Sequence, residues 1–151
     1  MDPLFELALS VKALARELER WTNEAMRPLG VTGAQADAVA VIARTQPVSL
    51  KELGELLVAE SGHPSRLVDR LVEQGLVTRA PSTDDGRRVE LSLTRAGERV
   101  AARIDAHRDE MLASVRAVLT PAEVTAALRT ASKLLALSPY AELVARRRTL
   151  V

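Results

Sequence analysis

The strongest regularity in the chain is the recurrence of apolar positions at helical spacing. Leu4, Leu7, Val11, Leu14, Leu18, Trp21 and Ala25 follow one another at intervals of three and four, a heptad seam running to Arg27, just before Pro28. Asp2-Pro3 opens it, a capping side chain ahead of a proline at the first helical position. Three more helices are marked by capping boxes, in which a Ser or Thr oxygen accepts from a free backbone N–H and a Glu or Gln three residues on reaches back. These boxes are Thr32-Gly33-Ala34-Gln35, Ser49-Leu50-Lys51-Glu52 and Thr120-Pro121-Ala122-Glu123. The first helix should end before Gln46-Pro47, the second should be short, through Leu53, Leu56 and Leu57, and the third carries Val124, Leu128, Ala131 and Leu135. Thr94 caps a long helix whose apolar face runs Val100, Ile104, Met111, Val115 and Val118.

Two elements lie between these. His63 to Gln74 reads as a helix, with Leu67/Leu71 and Val68/Val72 one turn apart, stopped by Gly75. The period then falls to two: Val89, Leu91 and Leu93 alternate with Arg88, Glu90 and Ser92, and the preceding Asp85-Gly86 is a hairpin signal. Leu76–Arg79 is the partner strand. The expected fold is mainly α with one small β-hairpin, and no internal repeat or linker divides it. From Ser49 to Thr94 the order is short helix, tight connection, second helix, hairpin: a helix-turn-helix followed by a wing. The second helix of such a unit lies in the major groove of double-stranded DNA, its N-terminal side chains against base edges and the hairpin tip against the adjacent backbone or minor groove. Ser61, His63, Ser65 and Arg66 stand at that end, where first-turn N–H groups also suit a phosphate. Pro64 fits there if Ser61 is the cap, because those N–H groups have no intrahelical partner.

Composition narrows the alternatives. At 151 residues, 47% hydrophobic and 27% charged, the chain has the length of one domain and the material for a core. Phe5, Trp21 and Tyr140 are its only aromatics, so the core must be Leu, Val and Ala, which suits helices. The longest apolar run is Ala38–Ala43, far short of the ~18 residues of a membrane span. Asp2 and Glu6 stand where an export signal would be basic, so a cytoplasmic protein with no membrane partner is expected. With no cysteine, disulfides, thiolate metal sites and thiol redox sensing are excluded. Only His63 and His107 exist, distant in sequence, and no catalytic or nucleotide-binding motif occurs, so neither an enzyme nor a cofactor or metal is expected. His107 reads as a partly buried structural histidine.

Net charge is +1 and says little about partners. All basic residues but Lys12, Lys51 and Lys133 are arginines, the better fork for phosphate and guanine, although a bias in codon usage explains that equally well. Between Ser61 and Arg99 seven arginines face six carboxylates, so any cationic patch must come from geometry.

Three passages resemble the MarR family of bacterial transcriptional regulators. Leu53-Gly54-Glu55-Leu56-Leu57 followed by Arg66-Leu67-Val68-Asp69-Arg70-Leu71 is similar to that family's two-helix reading unit, and Gly75-Leu76-Val77-Thr78-Arg79 to the run leading into its wing. Asp85-Gly86-Arg87-Arg88-Val89-Glu90-Leu91-Ser92-Leu93-Thr94 resembles its wing signature, D-x-R-x-x-x-x-x-L-T, at every fixed position. One departure stands out: Ser61-Gly62-His63-Pro64-Ser65 replaces the family's small-polar-Thr-Val run, which displaces the start of the reading helix by about a residue.

The resemblance implies an obligate homodimer built from the terminal helices, residues 1–30 and 98–151, around a winged helix-turn-helix at residues 31–97, all one continuous unit. The expected activity is a ligand-responsive repressor on a pseudo-palindromic operator; the alternative is a winged-helix dimer serving as a protein-interaction module without specific DNA binding. Candidate DNA contacts are Ser61, His63, Ser65, Arg66, Arg70, Arg79, Asp85, Arg87 and Arg88. Asp85 is expected to orient the Arg87 guanidinium through a charge-assisted bond. Arg66 or Arg70 could instead pair with Asp69 or Glu73, and Arg146-Arg147-Arg148 reads as a frayed, solvated end. Family members commonly bind small aromatic or phenolic effectors in a cleft between the dimer helices and the reading head. Arg16 and Trp21 are the one aromatic-plus-cation pair for that role, unless Trp21 simply packs the seam.

Overall fold

The computed structural model describes residues 1–58 and 64–150. Helix α1 spans Pro3–Met26 with Asp2 as its cap, the Asp2 Oδ1 accepting from Leu4 N–H at 2.8 Å. A 3-10 turn at Arg27–Leu29 ends on Gly30, and α2 (Gly33–Thr45) follows. The remaining elements are β1 (Val48–Ser49), α3 (Leu50–Leu56), α4 (Pro64–Glu73), β2 (Val77–Pro81), β3 (Val89–Leu93), α5 (Arg95–Arg116), α6 (Pro121–Leu135) and α7 (Tyr140–Arg148). Mainly α with a small β wing is therefore the architecture. All three expected capping boxes form, at Thr32/Gln35, Ser49/Glu52 and Thr120/Glu123.

Helix α2 is the centre of the core. Ala38, Val39, Val41 and Ile42 are fully buried, and α3, α4, α5 and β3 surround them. The apolar run Ala38–Ala43 is thus a helix buried on almost every side, not a strand. Leu53 from α3, Val68 and Leu71 from α4, Val77, Leu91, Ala101 and Ile104 belong to the same cluster. Each large side chain buried this way contributes roughly 1.5–3 kcal/mol of transfer free energy.

The sheet has three antiparallel strands in the order β1-β3-β2. β1, which the sequence pattern did not announce, pairs Val48 with Leu91 and Ser49 with Glu90; two residues are too few to show a period. β2 and β3 pair from Val77↔Leu93 to Pro81↔Val89. Their connection, residues 82–88, is longer than the two-residue hairpin that Asp85-Gly86 suggested.

Helix α4 ends in a Schellman motif. Gly75 takes φ +71°, its N–H donates to Val72 C=O, and Leu76 N–H donates to Leu71 C=O, each at 2.9 Å. Directly beside this turn Thr94 ties the wing to α5. Its N–H donates to Leu76 C=O at 3.0 Å, its hydroxyl donates to Gly75 C=O at 2.7 Å, and the same oxygen accepts from Gly97 N–H at 3.0 Å. The reading helix, the wing and the long helix therefore meet at one knot of backbone bonds.

Helices α1 and α6 leave apolar faces uncovered in the single chain. Leu4 and Leu14 of the seam are 75% and 68% exposed, and Leu128 of α6 is 56% exposed. The expected boundary at 97/98 falls inside α5, and α7 packs against α3 and α6. No single described helix is long and apolar enough to cross a membrane.

Glu52 shows how the caps respond to acid. Hydrogen bonds from the Ser49 side chain and backbone, with smaller help from Arg88 and Arg146, hold its carboxyl below the ordinary glutamate value. A lowered folded-state value means this stabilisation is complete above the ordinary glutamate value and is lost as pH falls through the folded one. Glu52→Gln should therefore lower the urea midpoint at pH 7, by a small amount for so exposed a group, and the gap from wild type should be smaller at pH 3. An equal gap at both pH values would contradict this account.

Candidate nucleic-acid interface

Helix α4 and the wing form one exposed, cation-bearing surface. The sequence folds α4 with Val68 and Leu71 inward and Ser65, Arg66, Asp69, Arg70 and Glu73 outward. Its ten residues make a rod of about 15 Å, a length that suits insertion into a groove about 12 Å wide. Arg66 and Arg70 lie one turn apart on the exposed face. Among the described residues neither pairs with Asp69 or Glu73, contrary to the alternative the spacing allowed. Asp69 is instead taken by Arg79 of β2, Nη2 to Oδ1 at 2.6 Å, with the two side chains 39% and 50% exposed. That bond links α4 to the base of the wing and withdraws the acid between the two arginines.

The wing tip is built by backbone bonds. Ser82 N–H donates to Arg88 C=O at 2.7 Å, and Arg88 N–H donates to Asp85 C=O at 2.8 Å, closing a turn with Asp at its first position. The Asp85 carboxylate accepts from the Arg87 backbone N–H at 3.1 Å. This corrects the expected carboxylate–guanidinium brace: Asp85 shapes the turn from within and leaves the Arg87 side chain to solvent. Gly86 does not take a positive φ, so the turn does not depend on glycine there. Among the described residues Arg87 makes no ion pair, whereas Arg88 lies near enough to Glu52 to lower that carboxyl. Ser61 and His63 lie outside the described residues.

At the start of α4 the two helices of the motif come close. A Cβ added to Gly54 of α3 would meet Pro64 Cγ at 3.2 Å, so the position of α3 sets where the reading helix begins.

The MarR family profile matches residues 29–88, a span that holds α2, the two-helix unit and the wing up to Arg88. The multiple antibiotic resistance protein MarR of Escherichia coli (strain K12) is 30% identical over 96 residues, which cover 64% of this chain and 67% of that protein. The chain belongs to the MarR family. A second similar protein, the HTH-type transcriptional repressor MdtR of Bacillus subtilis (strain 168), is 28% identical over 129 residues, 85% of this chain and 83% of that one. Among solved structures, a mutant of E. coli MarR complexed with operator DNA is similar at a TM-score of 0.76 and 27% identity, covering 87% of this chain and 95% of that chain. Membership makes this protein a transcriptional regulator with a winged helix, rather than an enzyme.

In this MarR-family chain the structure gathers Ser65, Arg66, Arg70, Arg79, Asp85, Arg87 and Arg88 on α4 and the wing. It does not gather Arg16 and Trp21. Five residues apart on α1, they project about 140° from each other around the helix. Arg16 pairs with Glu19 at 3.3 Å, and Trp21 lies on the side of Glu17, whose carboxyl is held low chiefly by Arg20 and only slightly by the indole. An open depression of about 570 Å³ on α1 is lined by Ala13, Arg16, Glu17, Glu19, Arg20 and Asn23, without Trp21.

The MarR-family reading of the sequence also missed a second group. Arg146 and Arg147 are not a frayed end: Arg146 Nη1 meets Glu55 Oε2 at 2.8 Å, and Arg147 grips both oxygens of Asp37 at 3.0 and 2.6 Å. The spacing of Leu143, Arg146, Arg147 and Leu150 was the available signal, one helical face at i, i+3, i+4 and i+7.

Proposed function

We propose that this protein is a homodimeric repressor that binds a pseudo-palindromic operator through α4 and the wing and releases it in response to a small-molecule effector. The observation that carries the DNA reading is the wing: Arg87 is held out by a turn built on Asp85, beside a reading helix whose exposed face carries Arg66 and Arg70. In this reading Ser61, His63 and Ser65 meet base edges, Arg66 and Arg70 meet bases or phosphates, Arg87 and Arg88 meet the adjacent backbone or minor groove, Arg79 anchors α4 to the wing, and Asp85 shapes the tip. The operator complex of a similar protein supports this assignment.

The uncovered seam of α1 supports the dimer, because a stripe of Leu4, Leu7, Val11, Leu14 and Leu18 is too apolar to face water alone. Leu14→Glu and Leu18→Glu should each shift the protein toward monomer in sedimentation at micromolar concentration and weaken DNA binding with it. A folded wild-type monomer of 16.4 kDa in that experiment would remove the two-fold reading. Footprinting of the bound duplex should protect two half-sites about one helical turn, ~10 bp, apart. The effector response is carried by the family resemblance, with Arg16 and Trp21 as its candidate residues.

A further inference from the structure

Helix α7 sits across two helices of the DNA-binding unit. Its inner face carries Leu143, Arg146 and Arg147, and Leu150 follows just past its end: Leu143 is buried, Leu150 packs against the core, and the two arginines reach to either side. Arg147 forms a two-bond fork on Asp37 of α2, with the pair only 31% and 34% exposed, while Arg146 holds Glu55 of α3. Glu55 follows Gly54, where an added Cβ would meet the Pro64 ring at the first turn of α4. Consecutive arginines on one helix thus staple α2 to α3 at the point where α3 sets the start of the reading helix.

We propose that α7 is a brace for the reading head, with Arg147 and Arg146 as positioning residues for DNA recognition that do not themselves touch DNA. This rests on the DNA-binding reading above. A fork of two charge-assisted bonds fixes direction as well as distance, which a lysine cannot do. Releasing it lets α3 and the start of α4 leave the placement that fits the groove, and apparent affinity falls by the fraction of molecules displaced.

Asp37 supplies the discriminating test. Removing an acid from a DNA-binding protein should strengthen binding if only charge mattered; a brace predicts the reverse. Asp37→Asn and Arg147→Ala should each weaken binding of the full-length protein to its operator roughly fivefold, by the displaced fraction. Arg147→Lys should restore part of the loss, and the double variant Asp37→Asn/Arg147→Ala should be no worse than either single one. The slope of log affinity against log salt should stay at the wild-type value, because no phosphate contact is lost. Hydrogen exchange of α3 backbone amides in the DNA-free protein should rise in the same variants. Stronger or unchanged binding by Asp37→Asn would overturn the brace, as would a reduced salt slope for Arg147→Ala or unchanged α3 exchange. If wild type shows no operator preference while α3 exchange still rises in the variants, the DNA reading fails and the structural brace stands.

Discussion

Replacing Gly97 with alanine should destabilise the protein by roughly 3 kcal/mol, the upper part of the range for overpacking a tight contact. The usual sign is the opposite, since Gly→Ala in a helix gains up to about 1 kcal/mol from propensity. Here the added Cβ would stand 2.1 Å from the Leu76 carbonyl oxygen, 3.0 Å from its carbon and 3.3 Å from Leu93 Cβ. The first two are backbone atoms, and the backbone cannot step aside. Leu76 is fixed by the turn that ends α4, and Thr94 bonds both Gly75 and Leu76 from the other side. Either α5 tilts away from the wing or the wing shifts from α4. For a chain of this size the melting temperature at fixed protein concentration should fall by about 6–12 °C. Gly86→Ala is the matched control: nothing lies within 4 Å of its Cβ position, and stability should change by less than ~0.5 kcal/mol. If Gly97→Ala melts at or above wild type, the close junction of wing and long helix is wrong.

The second large effect is on DNA binding. Arg87→Ala should weaken operator affinity by about 1.5 kcal/mol per wing, ~3 kcal/mol for a dimer, or roughly a hundredfold. The loss should be nearly the same for every sequence, because phosphates and the minor groove carry little base identity. Salt dependence should flatten by about one unit of slope per wing. Stability should hardly move, as Arg87 is exposed and makes no described ion pair. Asp85→Ala should give a smaller loss in the same direction. Its carboxylate bonds the Arg87 N–H rather than the guanidinium, so removal loosens the turn and leaves the charge in place. Arg146→Ala is the counterpart: an effect on affinity without a change of slope separates the brace from the wing.

Most of the fold was legible because local chemistry and packing agree. The boxes at Thr32, Ser49 and Thr120 each combine a capping oxygen with a Glu or Gln three residues on, and each starts a helix where expected. Gly75 marked the end of α4 because only a left-handed residue completes that turn without strain. What was not legible is what depends on distant partners. β1 exists because Val48 and Ser49 lie beside β3 more than forty residues on; nothing local marks two residues as a strand. The Gln46 side chain, which accepts from Leu93 N–H at 2.7 Å, is a contact of the same kind. Arg79 pairs across to Asp69, and Arg147 reaches Asp37 across the chain, so the fate of each charge was decided by tertiary packing rather than by its neighbours in sequence. At the wing, the resemblance located Asp85 and Arg87 correctly on the tip, but the bond between them is to backbone.

The most direct test of sequence-specific recognition by α4 and the wing is a fluorescence-anisotropy titration of the wild-type protein. Labelled duplexes from the DNA flanking its own gene would be compared with scrambled duplexes of equal length and composition, at two salt concentrations. The account predicts a flanking site bound at least ~10³-fold more tightly than the scrambled duplex, with affinity for both falling steeply as salt rises. Equal, weak binding to every duplex at both salt concentrations would contradict it and favour a winged-helix interaction module.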